Sequence, residues 1–231
     1  MDAETLERNL RQVRERIARA AERVGRDPAE VTLVAVTKTV PVEVIRLAYG
    51  MGLRDFGENR VEEALPKARA LPSDVRWHCI GHVQRRKARL AVELSYLVHS
   101  VDSVRLAQRL QRFCEEQGRD LPILLEVNIS GEETKYGFRP EEVAAAVPEI
   151  AACHRLRIQG LMTIAPLVAD PEEARPCFRA LRTLRDALAA RYPDLDWRHL
   201  SMGMTGDFEV AVEEGATLVR IGQALFGPRP A

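Results

Sequence analysis

Short apolar runs alternate with helical patterns eight times along this chain, and that order constrains the fold more than any single motif. The runs are LVAVTKTV at 33–40, RDFG near 54–57, RWHCIGH near 76–82, YLVHSV near 96–101, LPILLEVN at 121–128, LRIQGLMTI at 156–164, LDWRHLSMG at 195–203 and TLVRIG at 217–222. Helical candidates fill the gaps, among them PVEVIRLAYGMG, RLAQRLQRFCEEQG, PEEVAAAVPEIAA and PEEARPCFRALRTLRDALAARY. In the first run Leu33, Val34, Ala35 and Val36 are apolar on consecutive positions, so both faces of that strand are expected to be buried, as in a parallel sheet covered by helices. Eight β/α alternations without a long Pro/Gly/Ser linker predict one α/β domain over residues 1–231, a (β/α)8 TIM barrel, with an open doubly wound sheet as the alternative. Leu6, Leu10, Val13, Ile17 and Val24 recur at helical spacing, so residues 4 to 25 read as an extra N-terminal helix. Only Gln223 to Ala231 follow the eighth run, too few for a last outer helix, and the N-terminal helix is expected to cover the seam between the first and last strands.

Composition narrows the function classes. Hydrophobic residues make up 46% of the 231, ample for a core of this size. The 34 basic and 34 acidic residues cancel, which removes the electrostatic case for a nucleic-acid or membrane-surface partner unless a local patch supplies it. The cluster QRRKAR at 84–89 brings Arg85, Arg86, Lys87 and Arg89 together without an interleaved aromatic for base stacking, so it reads as a solvated helix face. No apolar run reaches membrane-spanning length, and MDAETLERNLRQ is charged and helical without a signal-peptide core, so the cytoplasm is the expected location. Cys79, Cys114, Cys153 and Cys177 lie far apart with no C-x-x-C pair, which suggests small buried residues rather than a disulfide frame or zinc site. His78 and His82 straddle a strand end instead of sharing a helix face, and read as hydrogen-bonded pocket or core residues rather than a metal pair.

In a barrel the active site is built from the loops after the strands. There this chain has Lys38, Glu58 and Asn59, His82, Asp102 and Ser103, Asn128, Met162 and Thr163, Ser201 to Gly206, and Arg220 to Gln223. Lys38 stands where a buried run ends. A lysine in a partly dry site loses its proton and becomes a nucleophile of the Schiff-base kind, whereas one whose stem covers apolar surface keeps its ammonium in water, and the stretch alone leaves both readings open. SMGMTGDFEVAVEEG offers the hydroxyls of Ser201 and Thr205, two glycines that allow close backbone approach, and a short helix expected over Asp207 to Glu213 whose N-terminus would face an anion. That is a phosphate cradle in the place where barrels hold phosphate, with an ordinary strand-to-helix turn as the alternative. Arg220, inward in LVRIG, needs a partner for its buried charge, either a ligand acceptor or a carboxylate from another strand.

Taken in order, LVAVTK, FGENRVEEA, WHCIGHVQRRK, HSVDS, EVNISGEETKYGF, GLMTIAP and LSMGMTGDFEVAVEEGATLVRIGQALFG resemble the pyridoxal-phosphate homeostasis protein family, single-domain relatives of the alanine racemase barrel. The resemblance runs from Val31 to Gly227. It implies pyridoxal 5′-phosphate (PLP) bound as a Schiff base to Lys38, with Arg220 at the pyridine nitrogen and Ser201, Thr205 and the Gly222-Gln223 backbone at the phosphate. By the same resemblance Asn59, Met162, His82 and Met204 line the ring pocket, and Lys135 in ETKYGF is a second or transfer site. Two positions depart from the family's pattern: Gln223 stands where a threonine is usual, which removes a hydroxyl from the phosphate site, and Tyr136 replaces a smaller residue beside Lys135.

Racemases of the related barrel use two bases, the lysine and a tyrosine from an additional β domain of the partner subunit. This chain ends at Ala231 directly after the barrel, so the expectation is a non-catalytic carrier that buffers PLP and delivers it to PLP-dependent apo-enzymes, a monomer without nucleic-acid or membrane partners. The alternative is a small fold-type III PLP enzyme such as an amino-acid racemase, with Tyr136 or His82 as its second base. A third reading dispenses with the cofactor: Lys38 as the Schiff-base lysine of a sugar-phosphate aldolase, with Glu58 as the nearby carboxylate.

Overall fold

The computed structural model describes residues 1–132 and 134–228. Its strands are β1 (Thr32–Val36), β2 (Asp55–Glu58), β3 (Arg76–Cys79), β4 (Leu97–Val101), β5 (Leu121–Glu126), β6 (Leu156–Met162), β7 (His199–Ser201) and β8 (Leu218–Ile221). They pair in parallel in chain order, and β8 returns to β1 with Thr32 opposite Leu218 and Ala35 opposite Ile221. The sheet is therefore a closed barrel, and the open doubly wound alternative is set aside.

The consecutive apolar residues of β1 serve two cores. Val34 joins Leu97, Leu124, Met162 and Leu218 in a cluster separate from the rest, inside the barrel. Its neighbours Leu33 and Ala35 belong to the larger core between the barrel and its helices. This is the alternation of strand side chains across the sheet, with both faces dry. β7 is the one strand much shorter than its apolar run. Asp196 accepts a hydrogen bond from the Arg198 backbone N–H at 3.0 Å, and this Asx turn takes the start of LDWRHLSMG out of the sheet.

The helices are α1 (Ala3–Arg23), α2 (Val42–Gly50), α3 (Val61–Ala70), α4 (Ala88–Leu94), α5 (Val104–Gln117), α6 (Pro140–Ala151), α7 (Arg175–Arg191), α8 (Phe208–Glu213) and α9 (Gln223–Phe226). α1 starts where Asp2 caps the Thr5 backbone N–H, and it buries Leu6, Leu10, Val13, Ile17, Ala20 and Ala21. It covers the seam as expected. Arg16 pairs with Glu209 at 2.8 Å and Arg23 with Glu213 at 2.7 Å, both on α8, and the Asn9 amide donates to the Leu225 carbonyl of α9 at 2.9 Å. Val24 corrects the apolar pattern: it lies just past the last turn and is 45% exposed. α9 is a single turn where no last helix was expected. The basic cluster is a 3-10 turn, Arg85–Lys87, that runs into α4; Arg85, Arg86 and Arg89 are exposed, and Lys87 and Arg89 pair with Glu62 and Glu116. Among the described residues no helix is long and apolar enough to cross a membrane.

Closure through α1 has a measurable cost. Leu10→Ala, at a position 3% exposed, is expected to lower the unfolding free energy by about 2–4 kcal/mol. Val24→Ala should change it by less than about 0.5 kcal/mol, and urea denaturation of both variants checks the pair.

Candidate functional site

The chain leaves β1 through a brace that fixes Lys38. Thr37 is fully buried; its hydroxyl donates to Glu58 Oε1 at 2.6 Å. Lys67, from α3, donates to the same Glu58 oxygen at 2.6 Å and to the Thr37 carbonyl at 2.8 Å. Thr39 then adopts a φ of 65°, which turns the chain sharply after Lys38. One oxygen of Glu58 is thus held by Lys67 and Thr37, while its buried Oε2 is without a hydrogen-bond partner among the described residues. Lys67 had no signal in the sequence, because a partner nine positions away matches no helical or strand spacing.

Lys38, Gly222 and Gln223 line one cavity of about 270 Å³ at the adjoining ends of β1 and β8, a volume near the lower end of small-molecule pockets. A Cβ on Gly222 would come to 3.4 Å from Val36, an ordinary contact. Thr205 reaches this edge, since its hydroxyl accepts from the Ala224 N–H at 3.4 Å. Gly203 has a φ of 91°, and a Cβ there would lie 2.5 Å from that of Ala211, so the SMGMTG turn closes onto α8 only with glycine at this position. Asp207 binds the Met204 backbone N–H at 2.6 Å, which ties the turn together.

The remaining residues singled out in the sequence fall into other places. Asn59 and His82 line a second cavity of about 480 Å³, together with Tyr136. His82 Nδ1 lies 2.9 Å from Asp102 Oδ2, and its ring stacks on Tyr136 at 3.8 Å. Met204 and Lys135 share a third cavity of about 280 Å³, where Lys135 pairs with Glu132 at 2.5 Å. Met162 is fully buried in the barrel cluster. Ser201 and Arg220 lie inside the lumen: Arg220 Nη1 donates to Ser201 Oγ at 2.6 Å and Nη2 to the Thr163 carbonyl at 2.8 Å. Burial lowers the Arg220 pKa to about 10, and the negative charges of Glu126 and Asp207 oppose that loss.

Glu126 is the residue that the sequence reading passed over. It ends β5, it is buried, and its Oε2 is without a hydrogen-bond partner among the described residues. Burial, with the Asp102 charge adding to it, pushes its pKa up to about 7. Its signal was available, as a carboxylate closing the run LPILLEVN, but periodicity alone does not tell a lumen position from a loop.

The chain has four lysines, Lys38, Lys67, Lys87 and Lys135, against thirty arginines. Lys67, Lys87 and Lys135 each have a carboxylate within 4.0 Å, and Lys38 alone of the four lines the first cavity. Cys79, Cys114, Cys153 and Cys177 are buried free thiols, and burial raises the Cys79 pKa to about 12. Among the described residues no group of three His, Cys, Asp or Glu side chains is arranged to hold a metal ion.

The model of the alanine racemase N-terminal domain family matches residues 2–230. A pyridoxal phosphate homeostasis protein of Aquifex aeolicus is 46% identical over 221 residues, 95% of this chain and 96% of that protein. The human protein of the same name is 41% identical over 234 residues, covering 95% of this chain and 85% of its own length. The solved structure of PipY from Synechococcus elongatus, with PLP bound, superposes with a TM-score of 0.81 at 41% identity, over 93% of this chain and all of that one.

Two buried carboxylates make opposite predictions. Lys67→Met leaves Glu58 buried without its cation, and should cost about 3–5 kcal/mol, most of it regained when Glu58→Gln is added; chemical denaturation measures both. Glu126 holds its proton more readily folded than unfolded, so the native state should lose stability as pH rises from about 4.5 to about 7. Glu126→Gln is expected to remove that slope, worth at most roughly 3 kcal/mol, in urea titrations repeated across this pH range.

Proposed function

The chain belongs to the alanine racemase N-terminal domain family, and we propose that it is a PLP carrier: one domain that binds the cofactor at Lys38, steadies its supply in the cell and releases it to apo-enzymes, with little or no turnover. The observation that carries this reading is the single cavity in which Lys38 meets the Gly222-Gln223 backbone, two residues beyond the buried Arg220. When bound, the cofactor supplies an electrophilic aldehyde carbon. Lys38 is the amine offered to it, as its covalent anchor.

The other residues present fit the group. Arg220 has five N–H donors, of which Ser201 and Thr163 take two, so it can face the pyridine nitrogen and still be held. The Gly222-Gln223 backbone and Thr205 suit the phosphate. Gln223 brings no hydroxyl, so on this reading its backbone N–H takes that place, with the Thr205 hydroxyl beside the Ala224 N–H. On this reading Ser201 serves the site through Arg220. Met162, Asn59, His82 and Met204 are, on the same reading, the residues that line the ring pocket, although Asn59 and His82 face the second cavity, Met204 the third, and Met162 the barrel cluster. Lys135, in its own cavity, is a second or transfer position.

Arg220 also bears on the choice between carrier and enzyme. A guanidinium keeps its protons, so it would leave the ring nitrogen unprotonated and the ring a poorer electron sink, which selects against the most demanding carbanion chemistry. The buried thiols agree with a cytoplasmic protein, and we expect a monomer. A second reading, a weak racemase-type enzyme, is favoured by one observation: the Asp102–His82 pair stacked on Tyr136 resembles an oriented general base.

Titration of the protein with PLP, followed by visible absorption, tests these readings. Wild type should gain a visible band that Lys38→Ala lacks, and the band should persist when single amino acids are added. Product formation that His82→Gln abolishes would instead establish the enzyme. Equal spectra for wild type and Lys38→Ala would overturn the anchor.

A further inference from the structure

The lumen holds a chain of polar side chains that anchoring a cofactor at Lys38 does not require. Arg76 grips Asp55 through two hydrogen bonds, at 2.8 and 2.5 Å. Asp55 Oδ1 lies 2.9 Å from His78 Nε2, and His78 Nδ1 lies 2.8 Å from His99 Nε2. His99 Nδ1 lies 2.8 Å from Ser201 Oγ, which accepts from Arg220 Nη1 at 2.6 Å. His99 is on β4 and Ser201 on β7, strands that are not neighbours, so this link crosses the barrel interior. The chain begins at a recess of about 410 Å³ lined by Asp55 and Arg76 at the strand starts, and it ends at Arg220 beside the proposed cofactor. His78, His99, Ser201 and Arg220 are all buried.

Only one arrangement of hydrogens satisfies every member. Arg220 donates and never accepts, so it fills a lone pair of Ser201, and the Ser201 proton must go to His99 Nδ1. Burial, aided by the nearby Arg220 charge, holds the His99 pKa well below the usual imidazole value. Its one proton is therefore on Nε2 and faces His78 Nδ1. His78 in turn gives its Nε2 proton to Asp55. Burial pushes the Asp55 carboxyl up, but the hydrogen bonds from Arg76 and His78 outweigh it and bring the pKa down to about 2, so this end of the chain is an anion that only accepts. The reverse arrangement would aim two donors at Ser201 and leave the Ser201 proton without an acceptor.

We propose that Asp55, His78 and His99 are positioning residues for Arg220, a hydrogen-bonded chain of fixed direction that keeps the guanidinium aimed at the pyridine nitrogen of the cofactor. The inference rests on the carrier reading, because it takes Arg220 as the group that meets the ring. Asp55, itself paired with Arg76, fixes the direction of the chain as its accepting end, with both histidines neutral between it and Ser201. The other ionisable groups around the chain are Arg76 and Tyr96 beside His78, His199 beside His99, and Glu126 and Asp207 near Arg220.

Nitrogen-15 NMR of the histidine side chains, on the protein without added cofactor, reads the direction of the chain. Both His78 and His99 should be single Nε2–H tautomers. Asp55→Asn keeps the shape but replaces a pure acceptor with a group that also donates, so both rings should become tautomer mixtures. The dissociation constant for PLP, from absorption titration, should rise roughly tenfold in the same variant. Ser201→Ala cuts the chain at its other end and should leave His99 mixed. A doubly protonated His78, or an Nδ1–H proton on wild-type His99, overturns the proposal, and that result does not depend on any variant folding. Equal PLP affinity for wild type and Asp55→Asn overturns the positioning role alone. Wild type that shows both Nε2–H tautomers yet takes up no PLP removes the carrier reading, while the direction of the chain stands.

Discussion

A guanidinium sealed inside a barrel is the constraint on which much of this structure depends. Left without acceptors, such a charge would push its pKa down or the fold apart. Arg220 is satisfied by a hydroxyl and a carbonyl, with Glu126 and Asp207 supplying opposite charge nearby. Each of these comes from a different part of the sequence, so the charge is tolerated only once β5 to β8 are in place. Closure of β8 onto β1 then shuts water out, and exclusion of water strengthens every one of these interactions.

The same constraint explains why the lumen is not uniformly apolar. Val34, Leu97, Leu124, Met162 and Leu218 fill part of it as ordinary core. The rest is occupied by groups that must hydrogen-bond to one another or not be there at all. A barrel that carries a fully satisfied polar chain has fewer alternative packings than one filled with interchangeable aliphatic residues, so these groups contribute specificity as well as chemistry.

Strand order was legible in the sequence because short, largely apolar runs alternate with helical patterns, and each of the eight runs holds a strand. Helix α1 was legible from its spacing, apart from Val24, where the periodic pattern continued one step beyond the last turn. The residues around Lys38 were partly legible. Its neighbours in space, Gly222 and Gln223, followed from barrel closure, but Lys67 and Glu58 are joined by a contact that obeys no local period. The lumen chain was hidden for a related reason. His99 and Ser201 are 102 positions apart, and only the tilt and register of strands that do not touch bring them together. His78 was read as a hydrogen-bonded core residue, which it is, but its partners were beyond reach of one-dimensional pattern.

The shortage of lysine has a chemical meaning that charge alone conceals. Arginine and lysine carry the same charge, yet a guanidinium does not condense with an aldehyde under conditions where an amine does. A surface whose cations are nearly all arginine can stay neutral overall and well hydrated while offering a reactive carbonyl few places to attach. Lys67, Lys87 and Lys135 each lie within 4.0 Å of a carboxylate, and the thiols are buried in the core. The molecule is thereby orthogonal to aldehyde chemistry over most of its extent, so that selectivity among nucleophiles is set by amino-acid usage before any pocket has to discriminate.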